Sequence, residues 1–135
     1  MTTQADLRPG IRWGRVILGG LLIELLLVVV AVPFFAMGQP ETVSIVIVPA
    51  TLLAAALGGA WAARGTRRAV LNGTLAGVAA LGLYVLMAVV GSLLAPEQAD
   101  LSTALSPVYL GSHVCKVLGG TLGGWLVARR RAAPA

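Results

Sequence analysis

Gly58-Gly59-Ala60-Trp61-Ala62-Ala63-Arg64-Gly65-Thr66-Arg67-Arg68 closes one long uncharged run and opens onto another. Upstream, no charged residue occurs back to Val43; downstream, none occurs as far as Ala95. A helix needs about 20 mainly apolar residues to cross hydrocarbon, so two such runs around a basic turn read as a membrane hairpin. Arginine and lysine near span ends are retained on the cytoplasmic side. The turn should therefore face the cytoplasm.

The same alternation continues outward in both directions. Arg8, Arg12 and Arg15 precede an apolar run from Val16 to Met37, and Arg129, Arg130 and Arg131 follow one from Pro107 to Ala128. The alternate connections carry only acids: Glu41 in one, Glu97 and Asp100 in the other. The pattern predicts a single membrane domain over residues 1–135, with crossings at about 16–37, 43–63, 69–95 and 107–128 and both termini cytoplasmic. The expected location is the cell (inner) membrane. None of the runs shows the in-out alternation of a membrane barrel, so the expected fold is all-α, an integral membrane four-helix bundle.

Composition excludes other classes. The chain is 58% hydrophobic and 11% charged, whereas a soluble domain carries about 25% charge. A net charge of +5 could suggest nucleic acid, but the arginines all sit at span ends, where orientation beside anionic lipid accounts for them. No nucleic-acid partner is expected, and the lipid bilayer is the principal one. The apolar run after the N-terminal arginines exceeds the 7–15 residues usual in a cleaved signal, so it should stay as the first span. Cys115 is the single cysteine and reads as a small hydrophobe. Trp13, Trp61 and Trp125 all fall near arginine clusters, where an indole can keep its N–H in the headgroup layer.

The chain also repeats itself. Leu57-Gly58-Gly59 with Ala63-Arg64 returns as Leu122-Gly123-Gly124 with Ala128-Arg129, and Arg15, Leu18, Gly20 and Leu22 return as Arg68, Leu71, Gly73 and Leu75. Two hairpins of like orientation, a parallel repeat, would follow. The Gly58-to-Arg64 end, the Asn72-Gly73-Thr74-Leu75-Ala76-Gly77 segment and the Leu118-Gly119-Gly120-Thr121-Leu122-Gly123-Gly124 run resemble a family of small four-span bacterial integral membrane proteins of unknown function. That resemblance implies the fold and supplies no activity.

Two sets of residues could carry a role. Gly73/Gly77, Gly119/Gly123 and Gly120/Gly124 form GxxxG pairs, with Ala54/Gly58 and Ala55/Gly59 as small-residue equivalents. This spacing lines one helix face with small residues, so that helices approach closely within the bundle or recruit a homo-oligomeric or other membrane partner. The second set is ionisable. Glu24 follows Arg15 by nine residues, which places it about 13 Å deep at 1.5 Å per residue. Lys116 precedes Arg129 by thirteen, about 20 Å from the same surface, with His113 a turn beyond. An intramembrane charge costs a few kcal/mol and should face the bundle interior. Glu24, Lys116 and His113 are therefore the candidate polar site, as a structural clasp, a protonatable or cation-binding site, or a lone protonated acid with a local bond to backbone; Lys116 on its own could also snorkel outward.

Leu18-Gly19-Gly20-Leu21-Leu22-Ile23-Glu24 is also similar to the first span of the small multidrug resistance exporters. That resemblance implies a cation- or proton-binding role for Glu24. Those exporters carry weak charge bias, however, and here the arginines fix one orientation. Ser112 and His113 are adjacent and so splay about 100° apart on a helix, which argues against a nucleophile with its base. No catalytic, cofactor or metal-binding set is expected. Pro33 and Pro49 lie inside the first two runs and free carbonyls that Ser44 or Thr51 could satisfy. The expected function is a structural or accessory membrane component packed through its glycine faces. The alternative is a small proton- or cation-coupled transporter using Glu24.

Overall fold

The computed structural model describes residues 10–95 and 106–132. Among them stand four helices and no strand: α1 (Trp13–Ala36), α2 (Pro40–Ala63), α3 (Ala69–Leu94) and α4 (Pro107–Ala132). The fold is an all-α helical bundle. Arg8, Glu97, Asp100 and the connection 96–105 lie outside the described residues.

Local chemistry sets the helix ends. Helix α1 begins at Trp13, ahead of the apolar run, because the Arg12 carbonyl already accepts the Val16 N–H at 2.9 Å. Pro40 stands in the first turn of α2, where its missing N–H costs nothing, and Glu41 beside it suits the positive end of the helix dipole. Gly65 turns the chain between α2 and α3 at φ +71°, a conformation that side-chain-bearing residues avoid. At the far end of α4, Arg129, Arg130 and Arg131 occupy the last turn, which favours cations. Pro33 and Pro49 lie inside α1 and α2 without ending either helix. Thr51 donates to the Ile47 carbonyl at 2.6 Å, one turn back.

Three helices, α1, α2 and α3, are long and apolar enough to cross a membrane, which fits a membrane protein. The fourth departs from the sequence expectation of four comparable spans. Helix α4 matches α3 in length at 26 residues, but Ser112, His113, Lys116 and its glycine pairs dilute its apolar character.

Helices α1 and α3 run the same way, with Gly20 against Ala79 and Ala80, while α2 and α4 do likewise, with Gly119 against Leu52 and Gly123 against Ala56 and Ala60. The chain thus forms two helical hairpins side by side in one orientation. Helix α4 packs most extensively on α2 and then α3; α1 packs on those same two helices, so α1 and α4 occupy opposite corners. Helix α2 touches α3 far more than α1 touches α4, a departure from strict two-fold symmetry. Outward faces are apolar: Leu25, Val29, Leu86, Met87 and Leu94 are all exposed. Surface of that kind suits lipid as solvent.

Small residues allow the tight packing. Gly120 is the junction, since a Cβ there would press on the Gly73 carbonyl and stand 3.1 Å from the Gly77 nitrogen, while its own Cα approaches Gly59 from the α2 side. Further from the arginine end, Ile23, Leu27, Ala54, Ala55 and Ala80 form the apolar core, with Leu26, Ile47 and Ala50 packed around it.

Candidate functional site

Four side chains of α1, α3 and α4 make a polar cluster within this apolar framework. The ammonium of Lys116 donates to Glu24 Oε1 at 2.6 Å, and the two side chains are 3% and 15% exposed. At that burial, Lys116 does not snorkel outward. It also stands over the Tyr84 ring at 4.7 Å, a distance at which the negative face of the ring attracts a cation. On Tyr84, the His113 ring stacks at 4.5 Å between centroids, tilted by 55°. Among the described residues, His113 Nδ1 is buried and has no hydrogen-bond partner.

Side-chain length explains how corner helices meet here. Side chains on a helix lean toward its N-terminus, which would draw Glu24 and Lys116 apart along the membrane normal. Both have enough methylenes to close the gap. Each charge then neutralises the other inside oil, and the unused ammonium donors face the Tyr84 ring. The cluster can hold a net-neutral ion pair and, at His113, one open ring nitrogen.

The Ser112 hydroxyl donates to the Tyr109 carbonyl at 2.7 Å, one turn back on its own helix. Among the described residues, no three His, Cys, Asp or Glu side chains gather as a metal set. An open apolar hollow of about 450 Å³ lies on the flank of α3 and α4, lined by Leu81, Leu110, Val114, Val117, Leu118 and His113.

The glycines singled out by spacing all face neighbouring helices. Gly58 meets Ile23 and the Gly19 carbonyl; Gly59 meets Gly120; Gly73 and Gly77 meet Gly120, Gly124 and Lys116. Gly119 meets Leu52 and Ala55, Gly123 meets Ala56 and Ala60, and Gly124 meets Ala69 and Val70. Each lies inside the bundle, where a separate partner has no access.

A second polar assembly ties the arginine end together. Asn72, fully buried, accepts the Arg12 backbone N–H at 2.9 Å and donates to the Arg68 carbonyl at 2.9 Å. Arg131 donates to the Thr66 carbonyl at 2.6 Å and to Ala63 at 3.3 Å, so the end of α4 clamps the α2–α3 turn. Arg15 donates to the Arg64 carbonyl and lies over Trp61 at 5.2 Å. Asn72, Thr66 and Tyr84 join these clusters without a spacing pattern in the sequence that marks them as site residues. The available signal for Asn72 was an amide one turn inside an apolar run, beside arginines.

Comparison with protein-family models, curated proteins and solved structures finds no match. Geometry alone informs the function of this chain.

Proposed function

We propose that the chain is a four-crossing integral membrane protein with both termini cytoplasmic, acting as a structural or accessory component of the membrane and not as an enzyme. Helix α4 supplies the fourth crossing on this reading. Its length equals that of α3, it runs beside α2, and its basic end meets the α2–α3 turn through Arg131. Kinship with the small four-span bacterial proteins of the sequence resemblance belongs to the same proposal.

The observation that carries it is the buried Lys116–Glu24 pair between helices that otherwise scarcely touch. Such a pair fixes which helices assemble, a role for which buried polar groups are attested. With the glycines enclosed, a homo-oligomeric or membrane-protein partner would meet the apolar flanks of α1 and α3. Purified protein in liposomes should pass no proton or cation flux above empty vesicles. Partner capture from native membranes should be independent of the glycine seam.

A second reading is proton- or cation-coupled transport using Glu24, favoured by the open His113 nitrogen reached from the ion pair through Tyr84. Flux that disappears in Glu24→Gln would establish it and reject the structural role.

A further inference from the structure

We propose that Arg12, Arg15 and Arg64 form a binding site for the phosphate of an anionic phospholipid, in a notch floored by Gly65. A Cβ built on Gly65 would find Arg12 Nη1 at 3.7 Å and Arg15 Nη1 at 3.9 Å, with no other heavy atom of a neighbouring segment within 4 Å. Two guanidinium groups from the start of α1 therefore converge on the α2–α3 turn.

Each residue is set by its surroundings. Arg15 is oriented by its bond to the Arg64 carbonyl and by the Trp61 ring beneath it. Arg64 directly precedes Gly65 and its carbonyl accepts from Arg15, so its charge is carried at the same turn. Among the described residues, the one ion pair is Lys116–Glu24, and none joins a carboxylate to Arg12, Arg15 or Arg64. Gathered like charges repel, and an anion placed between them removes that repulsion. Guanidinium forks match phosphate geometry and donate to its oxygens at about 2.7–2.9 Å, and two such donors lie within 4 Å of the Gly65 Cβ position.

A lipid phosphate, and not a free one, is the occupant because of where the notch lies. It sits at the basic end of three apolar helices, level with Trp61, where the headgroup layer of an anionic leaflet presents phosphodiesters at high local density. The site rests on the reading that this end meets a membrane surface, and is independent of sidedness or transport.

The test uses the full chain in neutral detergent micelles, with retained lipid read by native mass spectrometry and the unfolding midpoint read in parallel. Phosphatidylglycerol should bind and raise the midpoint; phosphatidylcholine and soluble glycerol 3-phosphate at equal concentration should not. In Arg12→Gln/Arg64→Gln, retention of phosphatidylglycerol should fall about tenfold, while Arg129→Gln/Arg130→Gln, an equal charge loss elsewhere on the same face, should leave it unchanged. Arg12→Lys/Arg64→Lys keeps the charge but loses the fork, and should give an intermediate value with helical circular dichroism intact. Equal loss in Arg129→Gln/Arg130→Gln, or undiminished retention in a folded Arg12→Gln/Arg64→Gln, would overturn the site. Equal stabilisation by glycerol 3-phosphate would overturn the lipid as its occupant. Loss of helicity in the glutamine variant passes the decision to the lysine one, where undiminished binding counts against the fork. None of these readouts depends on flux, so failure here is separable from failure of the structural role.

Discussion

Lys116 Nζ lies 2.6 Å from Glu24 Oε1, although α1 and α4 stand at opposite corners of the bundle with α2 and α3 between them. Backbone packing does not draw those two helices together, since small residues seat α1 and α4 each on α2 and α3, across from one another. Only long side chains reach across. Among the described residues, the ion pair is therefore the side-chain link that joins the first and last helices within the apolar layer. With the two side chains 3% and 15% exposed and the Tyr84 ring against the ammonium, little water is at hand to replace a lost partner.

Coupling between Glu24 and Lys116 should appear in a double-mutant cycle. Glu24→Gln leaves an unpaired ammonium, and Lys116→Met an unpaired carboxyl, each costing up to about 3 kcal/mol on insertion scales. Glu24→Gln/Lys116→Met removes both charges and should cost less than the sum of the two, with an interaction term of about 0.5–3 kcal/mol. Unfolding in mixed micelles measures it. Strict additivity would mean that the pair contributes nothing to holding α1 against α4.

Depth was legible in the sequence and azimuth was not. Counting residues from Arg15 and Arg129 gives the height of Glu24 and Lys116 at 1.5 Å per residue, and that count brought the two to neighbouring levels. Which helices are neighbours depends on how faces interlock. Glycine spacing announced close approach at Gly120 without saying that Gly59 and Gly73 meet it from two sides. Tyr84 looked like one aromatic among many apolar residues, because its role depends on the rotation of α3 toward Lys116. The polar character of α4 was present in its composition, yet the arginines at its end made it look like the other three runs.

Glycine substitutions should separate by position along the helices. At Gly120, a methyl group would press on the Gly73 carbonyl, a backbone atom that cannot turn aside. Gly120→Ala should destabilise by about 1–3 kcal/mol, the usual cost of overpacking. Gly82, in α3, has nothing within 4 Å of a Cβ, so Gly82→Ala should be neutral or stabilise by up to about 1 kcal/mol through helix propensity. Parallel denaturation of the two variants is the check; equal effects would contradict the seam.

Asn72 should hold the start of α1 to the α2–α3 turn. Its amide accepts from the Arg12 backbone and donates to the Arg68 carbonyl, both at 2.9 Å, while fully buried. Asn72→Leu keeps a similar volume and strands both groups, at a cost of about 1–3 kcal/mol. Amide hydrogen exchange should accelerate at Arg12 and leave the middle of α3 protected. Unchanged exchange at Arg12 would show that the link is not formed in the membrane.

Sidedness should follow the arginines. Guanidinium groups at Arg12, Arg15, Arg64, Arg67, Arg68 and Arg129–Arg131 all belong to one end of the bundle, whereas Glu41 lies at the opposite end of α2. Moving any of those clusters across hydrocarbon costs about 2.5–3.5 kcal/mol per arginine, so an inverted orientation should be negligible. In a Cys115→Ala background, a cysteine at Arg67 should react with an impermeant thiol reagent only after the cytoplasmic face is opened. One at Gln39 should react in intact cells. Arg67→Cys removes one charge from a turn that keeps Arg64 and Arg68, leaving the bias in force. A cysteine in that turn that reacts in intact cells would place the arginine face outside.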